Sequence, residues 1–325
     1  MNYWFYSTEI FVILIDKSLR AGMVFVIIIQ LFFSLLATFS LYKLATHLFS
    51  EKTGLACVAL FLLNYPFHAF NTFAQTESLY YSLSIIVSSY LLRLPSLRIK
   101  NILIISIALL IITFTRPTGI LFVPPVALYL WLRFGKSIRS APIIITGTVL
   151  SILFIIVLNT AISSGGQLDF MLPFKTNQII CGVSLETYNN MKTTERGNSI
   201  YGVFYYVTHN FSHFSNLAAQ KTIAFFGLTR TYFSTGHNLF LVLFFYPLYL
   251  LIILSSKSWI KNNLHTFVYL CTVLLITWAT TLLTCDDWHN RFFLAISPYA
   301  ILLSLPAVNK IIYFISSGTF SRTRY

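Results

Sequence analysis

Two carboxylates, an imidazole and a guanidinium, Asp286, Asp287, His289 and Arg291, stand close together in the stretch Thr284-Cys285-Asp286-Asp287-Trp288-His289-Asn290-Arg291-Phe292-Phe293. The runs Leu264–Leu283 before it and Phe292–Leu305 after it hold no Asp, Glu, Lys or Arg. Charge placed where apolar segments turn is costly unless it holds a ligand or pairs internally. The chemistry on offer is definite. A carboxylate or imidazole can take the proton of a hydroxyl, a planar guanidinium can hold two oxygens of a phosphate, and adjacent carboxylates can bridge a divalent cation. The competing reading is that Asp286 and Asp287 salt-bridge Arg291 and neighbouring loops.

Composition says what must position these groups. Of 325 residues, 57% are hydrophobic, 17% aromatic and 10% charged, and the mean hydropathy is +0.76. Soluble chains average about 25% charged residues, so the expected fold is an all-α, polytopic bundle of transmembrane helices. The formal net charge of +13 does not indicate nucleic acid, because the Lys and Arg sit singly at the ends of apolar segments and form no stripe. Cys57, Cys181, Cys271 and Cys285 have no CxxC or metal-ligand spacing. Three lie in or beside apolar segments and are expected to be packing residues, with a Cys181–Cys285 disulfide on an oxidising face as the minority alternative.

A spanning helix needs about 20 apolar residues. That rule gives about nine candidates: Ala21–Tyr42, Gly54–Phe73, Ser78–Leu92, Asn101–Thr115, Pro117–Leu132, Ala141–Ile162, His237–Leu254, Leu264–Leu283 and Phe292–Val308. The chain divides into N-terminal helices (1–162), one long loop (163–236) and C-terminal helices (237–325). Within the loop, Phe204-Tyr205-Tyr206 and Phe211–Phe226, with Lys221 and Arg230 interleaved, suit helices lying in the interface plane. Basic residues collect on alternate connections: Lys43 and Lys52, Arg93 to Lys100, Arg133 to Arg139, Lys257 and Lys261, then Lys310 to Arg324. Cytoplasmic loops retain Lys and Arg, which places the C-terminus inside and the N-terminus and the carboxylate-bearing loops outside, in a bacterial inner or plasma membrane.

Two further polar groups fall on that outer face. Glu77 opens a helix in Gln75-Thr76-Glu77-Ser78, either as a site acid or as the first-turn acid of a helix capped by Thr76. Arg116, in Arg116-Pro117-Thr118-Gly119, is either a phosphate ligand or a cation snorkelling to lipid headgroups.

The order of Gln75-Thr76-Glu77-Ser78-Leu79 entering a helix, Arg116-Pro117-Thr118-Gly119 between two helices, a long outer loop, and Arg291-Phe292-Phe293 followed by Pro298 resembles the GT-C superfamily. These are membrane glycosyltransferases that use polyprenyl-phosphate sugars, among them protein mannosyltransferases and the aminoarabinose transferases of lipid A. The resemblance spans most of residues 20–308 through short, loose motifs. It implies a donor sugar on undecaprenyl or dolichyl phosphate, transfer with inversion on the outer leaflet, and a lipid, glycan or protein acceptor. It carries over to Glu77, to Arg116, and to Arg291 with its neighbours Asp286, Asp287 and His289; the chemistry of such a transfer would draw its proton acceptor from Glu77, Asp286, Asp287 and His289 and its phosphate-binding cations from Arg116, Arg230 and Arg291. No metal site is assigned, and a divalent cation stays optional. Family members carry an extra helix and an acidic first loop ahead of this point, where only Glu9 and Asp16 remain here, so the expectation is a member lacking that segment with no assigned base. An inactive scaffold and a lipid or solute transporter are the other two readings.

Overall fold

The computed structural model describes residues 22–73, 75–135, 171–183, 187–194 and 197–318, with isolated positions at 17, 155, 159 and 163. The expected span at 141–162, the acids Glu9, Asp16, Asp169, Glu186 and Glu195, and the basic residues Lys136, Arg139, Arg322 and Arg324 lie outside the described residues. All regular structure among the described residues is helical, apart from one isolated bridge between Ile180 and Asp286.

Among the described residues, four helices are long and apolar enough to cross a membrane: α1 (Met23–Leu48), α10 (Thr235–Asn262), α11 (Leu264–Leu283) and α12 (Arg291–Gly318). A fifth span arises if the bent pair α2 (Glu51–Leu63) and α3 (Tyr65–Ala69) is counted as one. Ser50 caps α2, its Oγ accepting from Thr53 N at 3.3 Å. The chain then turns by 60° at Asn64, next to Pro66, which cannot continue a helix from behind. The expected segments at 78–92, 101–115 and 117–132 correspond to α4 (Thr76–Leu92), α5 (Ile99–Thr115) and a 3-10 turn (Pro117–Phe122) running into α6 (Val123–Phe134). Each is shorter than the rule for a full span requires.

The chain forms two compact units: residues 1–134, 243–275 and 294–325 in one, 135–242 and 276–293 in the other. In the first, α12 is the enclosed helix, with 83% of its apolar window buried against 22% for α10, whose outer side is left for lipid. Pro306 interrupts α12, and α10 repairs the backbone around it. Ser255 Oγ accepts from Ala307 N at 3.0 Å and donates to Ser304 O at 3.1 Å, while Trp259 Nε1 donates to Leu303 O at 2.8 Å. Such side-chain repair lets a membrane helix keep a proline without stranding polar groups in hydrocarbon. A buried hydroxyl chain does similar work higher up, Ser88 Oγ lying 2.6 Å from Tyr269 OH and 3.0 Å from Tyr299 OH.

The second unit contains α7 (Met171–Lys175), α8 (Ile200–His209) and α9 (Phe211–Gly227), with the adjoining ends of α10, α11 and α12. Ser199 caps α8 by accepting from Gly202 N at 2.9 Å. Phe174, Tyr206 and Leu217 form its core, with Phe174 stacked on Tyr206 at 4.3 Å. The buried phenol of Tyr206 needs a partner and finds His213 Nδ1 at 2.5 Å, while His213 Nε2 meets Asn177 Oδ1 at 2.6 Å. With an amide oxygen on one side and a phenol on the other, the imidazole is satisfied as a neutral ring, and burial pushes its pKa down.

The two segments expected to be helical, around 204–206 and 211–226, are helices, but their cations behave differently from the expectation. Lys221 and Arg230 do not face outward between the aromatics; they are 0% and 6% exposed. The exposed side chains on α8 and α9 are mixed: Ile200, Tyr201, Phe204, Phe211 and Ile223 stand outside together with the polar Thr208, His209, Ser212, Ser215, Asn216 and Gln220.

Candidate functional site

In the first unit, Glu77 and Arg116 meet. Gln75 is the N-cap of α4 and makes no side-chain capping bond, so Thr76 is the first helical residue and not the cap. Glu77 then lies in the first turn, where a negative charge is favoured by the helix dipole. Its Oε1 accepts from Arg116 Nη1 at 2.5 Å. Both residues are buried, which removes the snorkelling reading of Arg116. The local sequence explains the placement. Arg116 ends α5, Pro117 starts the 3-10 turn, and Gly119 N donates to Arg116 O at 2.8 Å. A Cβ on Gly119 would fall 2.4 Å from Ile112 O, so only glycine lets the turn fold back onto α5 and aim the guanidinium at Glu77.

In the second unit, the charged stretch after α11 is clamped to residues 179–181. Cys181 and Cys285 form a disulfide, so Cys285 is not the packing residue expected of it. Around the disulfide, Cys181 N donates to Asp286 O at 2.8 Å and Asp286 N donates to Ile179 O at 2.7 Å. Trp288 Nε1 donates to Cys181 O, also at 2.8 Å. Asn290, left-handed at φ 56°, turns the chain into α12 and donates from Nδ2 to Leu228 O at 2.7 Å.

This clamp separates the adjacent carboxylates into two environments. Asp286 is 0% exposed; its Oδ2 accepts from Arg230 Nη2 at 2.5 Å and its Oδ1 from Asp287 N at 2.8 Å. Burial pushes its carboxyl up to about 6, against the pull of the Arg230 guanidinium. Arg230 is in turn held by Nη1 bonds to Ala224 O and Thr229 O at 2.9 and 3.2 Å. Asp287 pairs with Arg291, Oδ2 to Nε at 2.7 Å, and its Oδ1 accepts from His289 N at 3.2 Å. The Arg291 side chain is 36% exposed, against 5% for Arg230. His289 is exposed, its ring parallel to that of Phe233 at 6.5 Å. The salt-bridged reading of Asp286 and Asp287 is thus the geometry found, with Arg230 as well as Arg291 supplying the cations.

Lys221, expected only as a cation of an interfacial helix, belongs to the same construction. Its Nζ donates to Leu282 O at 3.0 Å and Thr284 O at 2.5 Å, capping the carbonyl end of α11 where the charged stretch begins, and lies 4.8 Å from the Phe174 ring centroid. Burial pushes its pKa down to about 7, while the carbonyls and the ring favour the ammonium form. A lysine in an aromatic run reads as a snorkelling cation; only the tertiary fold turns it inward.

No group of three or more His, Cys, Asp or Glu among the described residues is placed to hold a metal ion. A cation bridging Asp286 and Asp287 would have to displace Arg230 and Arg291 from them. No protein-family model, curated protein or solved structure matches the chain. What the helices define is a membrane protein, with a buried ion pair in one unit and a disulfide-clamped, doubly paired site in the other.

Proposed function

We propose that this protein is an integral-membrane glycosyltransferase that moves a sugar from a polyprenyl-phosphate donor to an acceptor hydroxyl. The observation that carries the reading is the Asp287–Arg291 pair, a carboxylate and a partly exposed guanidinium on a clamped turn at the start of an apolar helix. At rest each member neutralises the other. A donor phosphate that draws Arg291 away gains a two-pronged partner for its developing charge and releases Asp287 at the same moment. Asp287, with His289 beside it, then accepts the proton of the acceptor hydroxyl. The acceptor oxygen bonds to the anomeric carbon as that carbon's bond to the phosphate oxygen breaks; inversion results, and polyprenyl phosphate leaves on Arg291. Asp286 and Arg230 hold the turn, and no step requires a metal.

The disulfide supports an outward-facing site, since such bonds persist in oxidising compartments. The remaining topology of the proposal is about nine spans, N-terminus outside and C-terminus in the cytoplasm, in a bacterial inner or plasma membrane. Glu77 and Arg116 would serve as a second carboxylate–guanidinium pair of the outer face. A non-catalytic scaffold is the second reading, favoured by the fact that Arg116, Arg230 and Arg291 are all paired with carboxylates.

The test uses membranes containing the protein and a panel of radiolabelled undecaprenyl-phosphate sugars, with release of free polyprenyl phosphate as the readout. Arg291→Lys keeps the charge but loses the fork, and transfer should fall by about tenfold or more; Arg291→Ala should abolish it while the protein still inserts. Recovery of transfer in an Arg291→Ala, Asp286→Asn, Asp287→Asn variant would sink the catalytic reading, because the charges would then have served only each other.

A further inference from the structure

Next to the Asp287–Arg291 pair, two large aromatic side chains stand in the open. Trp288 is 44% exposed and Tyr232 is 45% exposed, with ring centroids 5.2 Å apart and planes inclined at 47°. Exposed Trp and Tyr in a membrane protein ordinarily place an apolar body in lipid and use the N–H or O–H to reach water or headgroups. Here both polar tips are already spent on backbone. Trp288 Nε1 donates to Cys181 O, and the Tyr232 hydroxyl donates to Trp288 O. Phe233 supports Tyr232 edge-on at 4.9 Å, and the disulfide holds Cys181, whose carbonyl anchors the indole. What remains available is a pair of pinned π faces.

The rim of this platform is polar. His289, the residue after Trp288, is exposed, and Asp287, the residue before it, pairs with an Arg291 whose side chain is 36% exposed. A ligand that fits must present weakly positive C–H groups to an electron-rich ring face and hydroxyls to an imidazole and to the open side of the Asp287–Arg291 pair. That description fits a pyranose ring. A lipid tail offers no hydroxyls.

We propose that Trp288 and Tyr232 form a carbohydrate-stacking platform that seats the sugar ring beside Asp287 and Arg291. As an assignment of substrate contacts this rests on the glycosyl-transfer reading, but binding can be measured without turnover. The probes are methyl α- and β-pyranosides of common hexoses and 4-amino-pentoses, added to the purified full chain in lipid nanodiscs and observed by saturation-transfer NMR. At least one should show saturation of its ring C–H protons. Trp288→Leu should weaken that binding by about tenfold, whereas Trp288→Phe, which keeps a face but forfeits the bond to Cys181, should stay within about threefold. A second measurement needs no folded variant: with 5-fluorotryptophan incorporated, the Trp288 resonance alone among the five tryptophans should shift on addition of the same glycoside. No saturation of any glycoside by the wild type, saturation of nucleosides instead, or an unmoved Trp288 signal would each overturn the platform. Glycoside binding in a protein that releases no polyprenyl phosphate would uphold the platform and remove the transferase reading.

Discussion

Arg230→Leu should destabilise this protein more than Arg291→Ala, although both remove a guanidinium from an aspartate. The expectation comes from burial. Asp286 is wholly enclosed, and its Oδ2 depends on Arg230 Nη2, so deleting Arg230 strands a carboxylate away from water. Breaking a buried pair from one side costs about 3–5 kcal/mol. The same substitution removes two bonds to the carbonyls of Ala224 and Thr229, each worth about 0.5–1.5 kcal/mol. Arg291, by contrast, has a side chain 36% exposed against 10% for Asp287, so water reaches the pair from the arginine side, and its loss should fall between the roughly 1 kcal/mol of an exposed pair and the cost of an enclosed one. In nanodiscs the Arg230→Leu variant should therefore melt on the order of 10 °C lower, and Arg291→Ala should lose less. Pairing Arg230→Leu with Asp286→Leu should return most of the loss, leaving the part owed to the two carbonyls. If Arg230→Leu and Arg291→Ala melt together, or the double variant is no better than Arg230→Leu, burial is not what distinguishes the two pairs.

Three other outcomes follow from the same geometry. The disulfide closes a separation of 104 residues, so Cys181→Ser should cost about 2–5 kcal/mol and expose Cys285 to a thiol reagent; an unchanged melting midpoint in the oxidised protein would refute its role as a clamp. Lys221 has its folded pKa lowered from 10.5 to about 7, so the unfolded chain binds more protons across that window and the stability tied to this group rises with pH between those values. Melting curves should show such a rise in the wild type and lack it in Lys221→Met; parallel profiles would argue against it. Gly119→Ala should cost roughly 1–3 kcal/mol, because the nearest atom to the new methyl is the backbone carbonyl of Ile112, and a melting midpoint equal to wild type would show that the turn has room to give.

What could be read from the chain beforehand follows the range over which each interaction acts. The charged stretch at 284–293 was legible because four titratable groups interrupt two long apolar runs. Pro66 marks the break between α2 and α3 by itself, although the expected span Gly54–Phe73 ran across it. The partners were not legible. Glu77 and Arg116 are 39 residues apart, Arg230 and Asp286 are 56 apart, and nothing local couples them. Thr76 looked like a cap because its residue type favours that position, but the helix begins one residue earlier and Thr76 is inside it. Lys221 was misread for the opposite reason: its aromatic neighbours suggested an interface, and its true partners, the carbonyls of Leu282 and Thr284, carry no sequence signature at all. Backbone acceptors are present at every residue, so a side chain that seeks them can be located only once the fold is known.

The contrast between the two aspartates also explains why adjacent residues in one turn can carry different roles. The parallel bridge at Ile180 fixes the backbone of Asp286, and the side chains of successive residues leave an extended segment on opposite sides. Asp286 is turned into the unit, where Arg230 must meet it permanently. Asp287 is also buried, at 7%, but it meets an Arg291 whose side chain is 36% exposed, so water reaches this pair from the arginine side and screens it. The enclosed pair thereby gives the turn its rigidity, and the half-open pair is the one a ligand can reach. Lys221 beneath the end of α11 and the Cys181–Cys285 bond beside Asp286 both act on the enclosed side, which is where a turn must be held if its outer residues are to present a constant geometry to a ligand.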